Sequence, residues 1–114
     1  MIKIKRIYES PTRSSGDGKR ILVDRLWPRG LRKDEVALDE WMKELSPSSE
    51  LRKWFAHDPA KWQEFKKRYR QELKGKHEII EHLKSDAKHA TLTFLYSAKD
   101  TEHNNAVALK EFMS

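Results

Sequence analysis

The sequence predicts a single small α/β domain, residues 1–114, with a mostly parallel three- to four-stranded sheet flanked by helices. Its 114 residues suffice for one modest hydrophobic core but not comfortably for two. Short apolar runs with the character of strands are separated by longer segments that have the helical period. Strands separated by helices favour a parallel sheet, because parallel neighbours need a crossover connection.

Three segments have the pattern of strands. Residues 2–8, IKIKRIY, begin with alternating apolar and basic side chains, which is typical of a strand with one wet face. Residues 20–27, RILVDRLW, begin with a continuous apolar run, which suits a strand covered on both faces. Residues 90–100, ATLTFLYSAKD, are the most apolar stretch and are predicted to contain a central strand.

The segments between and after the first two strands are predicted to be irregular. Residues 10–20 are rich in Ser, Gly and Pro, which predicts a mobile loop. Residues 28–35 are predicted to form a turn, because Pro28 and Gly30 fit poorly inside a strand. Residues 36–47, VALDEWMKELSP, fit either one face of a helix or a strand, and an edge strand is favoured.

The helical period occurs in four segments, at residues 48–57, 58–75, 77–89 and 101–114. The second is the clearest. Asp58 is expected to cap its N-terminus, Pro59 fits the first helical position, and Gly75 is a plausible stop. One face of this helix is expected to lie in the core through Trp62, Phe65, Tyr69 and Leu73.

Composition excludes several classes of site. The chain has no cysteine, so neither a disulfide nor a thiolate nucleophile is available. The five histidines do not form the i, i+4 pair of a helical zinc site, and no Gly-rich phosphate loop occurs, so neither a metal nor a cofactor is expected. No apolar run is long enough to span a membrane, and the N-terminus lacks a signal-peptide pattern, which together predict a soluble, cytoplasmic protein.

Two polar segments follow predicted strands, at residues 24–30, DRLWPRG, and at residues 97–105, SAKDTEHNN. Ligands of parallel sheets bind beyond the carboxyl ends of the strands. If the two strands are neighbours, the two loops face each other across one crevice. Because the second loop leads into a helix N-terminus, and because the first contains two arginines, the crevice is predicted to bind an anion such as a phosphate or a nucleotide.

Each candidate residue has a role in this hypothesis. The anion would be held by cations and polar donors, namely Arg25, Arg29, Ser97, Lys99, Asn104 and Asn105. Asp24 and His103 are the candidate catalytic residues, because a carboxylate or an imidazole can transfer protons. Trp27 either stacks on a ligand ring or packs under the turn, and packing is favoured.

A purely structural interpretation of the same loops remains open. In it, Asp100 or Thr101 caps the last helix and the asparagines are solvated turn residues. The arginines then form surface ion pairs, and His103 is a polar residue of the first helical turn.

Three stretches also resemble the YeaO-like proteins of the family called domain of unknown function 488. They are ILVDRLWPRGL, LRKWFAHDPAKWQEFKKRYRQEL and LYSAKDTEHNNAVALKEF, and the resemblance runs nearly end to end. It implies a small bacterial or archaeal α/β protein and no defined activity. More distant members have an Asp-x-Arg element after an early strand, and a loop ending in Cys-His-Arg where this chain has HNN. The resemblance therefore implies a shared geometry without thiol chemistry.

Two further functions are compatible with the sequence. The net charge is +6, and the basic excess is spread over residues 1–90, a distribution that attracts polyanions weakly. A non-specific nucleic-acid-binding module would use the loop at 13–20 together with Lys66, Lys67, Arg68 and Arg70. The third hypothesis is an accessory interaction protein without catalysis. The oligomeric state, the ligand and the reaction are not predicted.

Overall fold

The computed structural model describes all residues from Met1 to Ser114. It contains a four-stranded parallel sheet in the order β1-β4-β2-β3. The strands are β1 (Ile2–Arg6), β2 (Lys19–Leu22), β3 (Glu40–Trp41) and β4 (Leu92–Tyr96). The helices are α1 (Ser49–Phe55), α2 (Trp62–Lys74), α3 (His77–His89) and α4 (Asn105–Met113). Short 3₁₀ turns occupy Lys33–Glu35, Lys43–Leu45 and Pro59–Lys61.

The predicted fold class is confirmed, with shorter strands than the sequence indicates. β2 ends at Leu22, and only the Val23 N–H beyond it still donates to a β4 carbonyl, that of Leu95, so the strand ends well before residue 27. Residues 36–47 contain an edge strand, as favoured from the sequence. This strand, β3, is only two residues long, and a 3₁₀ turn follows it. β4 is buried along its whole length between β1 and β2, as expected of a central strand.

All four helices contribute to one core on a single face of the sheet. This core combines alternate strand residues, including Ile21, Val23 and Phe94, with the apolar stripes of the helices. The predicted stripe of α2 is buried throughout, and Asp58 caps the 3₁₀ turn that precedes that helix. None of the helices is long and apolar enough to cross a membrane.

The opposite face is covered by loops, whereas the sequence suggested helices on both faces. A smaller cluster of Ile7, Leu22, Val36 and Leu95 packs there against the segments that follow β1 and β2. This face also contains a buried ion pair between Arg20 and Asp17, both 0% exposed. These contacts tie Asp17 and Arg20, in the second half of the loop at 10–20, to the sheet.

Candidate functional site

The loops after β2 and β4 meet at one edge of the sheet, as predicted. β2 and β4 pair directly, with Leu22 opposite Leu95. Two residues beyond this pair on each strand, the Asp24 carboxylate accepts hydrogen bonds from the Ser97 backbone N–H at 2.9 Å and from the Ser97 hydroxyl at 2.6 Å. Asn105 Nδ2 donates to the other Asp24 oxygen at 3.1 Å and to the Val23 carbonyl at 2.8 Å. Both loops are thereby joined through Asp24.

Burial raises the pKa of Asp24 above its ordinary value, because it disfavours the charged carboxylate. The hydrogen bonds from Ser97 and Asn105 act in the opposite direction, since they stabilise the charged form. Because both carboxylate oxygens are occupied by these bonds, the observed geometry makes Asp24 a link between the loops.

A crevice of about 1070 Å³ opens beside this link. It is lined by five cationic side chains and by only two carboxylates, those of Asp24 and Asp100. We call the five the crevice cations, and they are Arg6, Arg25, Arg29, Arg52 and Lys99. None of the ion pairs in the protein includes a crevice cation. The surface ion pairs suggested for Arg25 and Arg29 are therefore absent.

Neutral acceptors orient two of the crevice cations. Arg6 ends β1, and its Nε donates to the Ala98 carbonyl at 2.9 Å. Arg25 Nε donates to the Pro47 carbonyl at 3.0 Å, directly before the start of α1. A guanidinium has five N–H donors in all, so these bonds fix each group while leaving most of its donors for a ligand.

His103 lies in the crevice with its ring held on two sides. Its Nδ1 is 2.9 Å from Asp100 Oδ2, and its ring meets Trp62 edge to face at a centroid distance of 5.3 Å. Backbone N–H groups of Glu102 and His103 also donate to Asp100, and these bonds hold the pKa of Asp100 below its ordinary value. The Nε2 atom of His103 makes no hydrogen bond within the protein.

The residue that caps α4 is neither of the two that the sequence suggested, Asp100 and Thr101. Asn104 caps α4, because its side-chain oxygen accepts from the Val107 N–H at 3.0 Å, while its Nδ2 donates to the Asp100 carbonyl. Asp100 instead stabilises the turn before the cap. The side-chain donors of Ser97 and Asn105, and one of the two N–H groups of the Asn104 amide, are used within the protein, so the crevice cations are the charged donors left for an anion.

Trp27 packs under the turn, which is the favoured of its two predicted positions. Its Nε1 donates to the Leu31 carbonyl at 2.6 Å, and its ring contacts Trp41 edge to face. Part of the residue still lines the crevice, beside the exposed side chain of Leu26.

Four polar residues at the crevice lie outside the two predicted loops and were not predicted, namely Arg6, Tyr8, Arg52 and His57. Arg6 and Tyr8 follow the same rule as the predicted loops, because they lie at the carboxyl end of β1, and the rule applied to all strands would have found them. Arg52 is an exposed helix residue without any distinguishing pattern. His57 follows α1 in the left-handed region with φ 57°, which the sequence does not indicate.

The cations assigned to a nucleic-acid surface are largely engaged elsewhere. Lys66 pairs with Glu111, and Arg68 pairs with Glu64 while its guanidinium lies over Trp54. In the other proposed segment, Arg13 pairs with Asp39. Arg20 is fully buried and cannot contact a phosphate backbone, so its assignment to this surface was wrong.

Comparison with known proteins confirms the resemblance found in the sequence. A family model described as "Inactive DUF488-N3 subclade" matches residues 1–114. The chain is 46% identical over 112 residues to the Uncharacterized protein YeaO of Escherichia coli strain K12, covering 98% of this chain and 96% of that protein. It is 33% identical over 113 residues to Uncharacterized protein Rv3073c of Mycobacterium tuberculosis, covering 99% and 93%. No solved structure matches significantly. The chain therefore belongs to the DUF488 family.

Proposed function

We propose that this domain binds a small phosphorylated ligand, a phosphate ester or a nucleotide, in the crevice between residues 24–30 and 97–105. One observation carries the proposal. Five crevice cations gather around one concavity, and no carboxylate forms an ion pair with any of them. Like charges gathered in a cleft focus a positive potential and repel one another until an anion binds.

Arginine suits phosphate because its planar guanidinium donates two parallel hydrogen bonds to two phosphate oxygens. Four of the five crevice cations are arginines. The crevice volume of about 1070 Å³ is at the upper end of the range for small-molecule sites. Apolar side chains at the same crevice, including Phe55, Phe65 and Leu26, offer contacts for the uncharged part of a nucleotide.

We further propose that the crevice binds its ligand without transforming it. Asp24 accepts three hydrogen bonds from Ser97 and Asn105, so its carboxylate serves to join the two loops and is not poised as a free base. The matching family model is described as an inactive subclade, which supports binding rather than turnover. His103 is the remaining candidate for acid–base chemistry, with Asp100 orienting its ring.

The test measures thermal unfolding with inorganic phosphate, pyrophosphate or a nucleoside 5′-monophosphate, at an ionic strength held constant with sodium chloride. A ligand at ten times its Kd stabilises the folded state by about 1.4 kcal/mol, which corresponds to a rise in Tm of roughly 5 °C. Arg29→Gln should lose most of this rise, because the Arg29 side chain is exposed, makes no hydrogen bond or ion pair within the protein and lines the crevice. Lys53→Gln is the matched control, since Lys53 is exposed, unpaired and outside the crevice.

The proposal fails if no anion at millimolar concentration raises the Tm beyond the sodium chloride control. It also fails if Arg29→Gln responds like the unmodified protein, because the anion then binds elsewhere. Either result would favour the accessory interaction protein as the function of this chain.

A further inference from the structure

The crevice cations are not arranged around a single point. Two of them lie on the side of β1. The Arg6 guanidinium lies 4.9 Å from the ring centroid of Tyr8, and the Tyr8 hydroxyl donates to the Arg29 carbonyl at 2.6 Å. Tyr8 therefore brings the chain segments of Arg6 and Arg29 together, although they lie in different loops. We call these two residues the β1-side arginines.

Two others lie on the side of α1. Arg25 donates to the carbonyl of Pro47, and Ser48 follows as the N-cap of that helix. The Arg52 N–H donates to the Ser48 carbonyl, one turn into the same helix, and the Arg52 side chain reaches the crevice. We call Arg25 and Arg52 the α1-side arginines.

Arg6 ends β1 and Arg25 follows β2, so these two anchored arginines start on opposite sides of β4. Asp24 and Ser97 extend β2 and β4, and β4 lies between β1 and β2. The ends of β1 and β2 are therefore two strand spacings apart, or about 10 Å. Arg6 is anchored at the Ala98 carbonyl, which follows β4, and Arg25 is anchored at the Pro47 carbonyl, which precedes α1, so the two guanidinium groups are held at different parts of the crevice lining.

We propose, as an inference that rests on the proposed function, that the ligand carries two separated phosphate groups. One would bind the β1-side arginines and the other the α1-side arginines. A nucleoside 3′,5′-bisphosphate has this form, because its sugar keeps the two phosphates apart. Its uncharged body would lie over the Asp24–Ser97 link, within reach of the apolar side chains Leu26 and Phe55.

The two groups are organised before the ligand binds. Arg6 and Arg25 are each anchored through Nε to a backbone carbonyl, so little side-chain entropy is lost when they bind a phosphate. Once one phosphate is held, binding of the second is an intramolecular event at a high effective concentration. The affinity for two separated phosphates therefore exceeds that for two adjacent ones.

Isothermal titration calorimetry at constant ionic strength tests this with adenosine 3′,5′-bisphosphate, adenosine 5′-diphosphate and adenosine 5′-monophosphate. The 3′,5′-bisphosphate should bind at least tenfold more tightly than the 5′-diphosphate. Both have two phosphates, but those of the 5′-diphosphate are adjacent, linked to each other at the 5′ position. Arg29→Gln and Arg52→Gln should each weaken 3′,5′-bisphosphate binding about tenfold and remove the preference. Both side chains are exposed and unpaired, so both variants should fold, which circular dichroism checks. Lys53→Gln should bind like the unmodified protein.

Equal or tighter binding of the 5′-diphosphate would overturn the two-group inference while leaving the proposed anion site intact. Loss of affinity in only one of the two arginine variants would also overturn it, because a single group would then hold the ligand. If none of the three nucleotides and no simple phosphate binds, the proposed function itself fails.

Discussion

Asp24 and Ser97 are joined by two hydrogen bonds across 73 positions of the chain, one from the Ser97 backbone N–H and one from its hydroxyl. They lie two residues beyond Leu22 and Leu95, the last paired residues of β2 and β4, in the same register. The polar floor of the crevice is thus a continuation of the parallel sheet by side-chain bonds. This relationship explains why two loops far apart in sequence form one site.

Substitution of Asp24 should change how stability depends on pH. Because burial raises its pKa above the ordinary value of 3.8, the folded state holds the proton more tightly than the unfolded chain does. The contribution of Asp24 to stability is therefore largest below that ordinary value, and it is lost as the pH rises through the raised pKa. Asp24→Asn should gain stability relative to the unmodified protein between about pH 4 and about pH 7.

Urea unfolding of both proteins across this range measures the effect. Ser97→Ala serves as a control, because it removes one bond to Asp24 while keeping the titrating carboxyl. A stability difference between Asp24→Asn and the unmodified protein that stays constant with pH would show that Asp24 does not titrate in this way.

The buried ion pair on the loop-covered face should be essential for stability. Asp17 binds Arg20 at 2.7 Å, both are 0% exposed, and Arg20 also donates to the backbone carbonyls of Ser10 and Ala37. Asp17→Asn leaves a buried guanidinium without its counter-ion, which costs about 3–5 kcal/mol of unfolding free energy. Asp34→Asn, which removes one carboxylate from an exposed surface pair, should change it by less than about 0.5 kcal/mol. Urea denaturation of both variants distinguishes these outcomes.

Asp17 should also govern stability in acid. Its bond to Lys5, with support from the Ser14 N–H and Arg20, holds the pKa of Asp17 well below its ordinary value. Its contribution is present above the ordinary pKa of 3.8 and is lost as the pH falls toward the depressed value. The unmodified protein should therefore lose more stability than Asp17→Asn between about pH 5 and about pH 2. Acid titrations of the two proteins, followed by circular dichroism, measure this. Equal loss of stability per pH unit in both would contradict the prediction.

Two glycines with positive φ should respond very differently to the same substitution. At Gly18, with φ +63°, an added Cβ would lie 2.0 Å from the Thr91 carbonyl oxygen, where β2 approaches β4. At Gly30, with φ +86°, the space around an added Cβ is open. Gly30→Ala should cost about 1–2 kcal/mol through backbone strain alone, and Gly18→Ala about 3 kcal/mol or more because the clash adds to it. Similar decreases in Tm in the two variants would contradict the close approach of Gly18 to the Thr91 carbonyl.

A stabilising substitution is available at the rim of the crevice. Ala56 ends α1 in the left-handed region with φ 47°, where glycine is the usual residue. Ala56→Gly should raise the free energy of unfolding by about 0.5–1 kcal/mol, because relief of strain exceeds the added chain entropy. Ala60→Gly, at a negative-φ position in the next turn, should lower it by about 0.5–1 kcal/mol. Chemical denaturation showing both variants weakened would contradict the strain at Ala56.

The candidate site was only partly visible in the sequence. The two loops could be paired because polar residues after parallel strands meet at one sheet edge. The partners of their side chains could not be predicted. Three residues, Asp100, Thr101 and Asn104, were equally able to cap α4 by type, and the path of the loop placed Asn104 at that position. Arg52 reached the crevice only because α1 packs beside the loop that contains Arg25.

By itself, the sequence determined the order and type of nearly every element, because helical period, apolar runs and end signals such as Asp58 act between neighbouring residues. It also indicated that β4 is central, because residues 90–100 are the most apolar stretch of the chain. The tertiary structure alone decided that the helices share one face, that Asp17 neutralises Arg20, and that the crevice cations have no carboxylate partners. These features depend on which distant residues are brought together by the sheet order β1-β4-β2-β3, and no local pattern encodes that order.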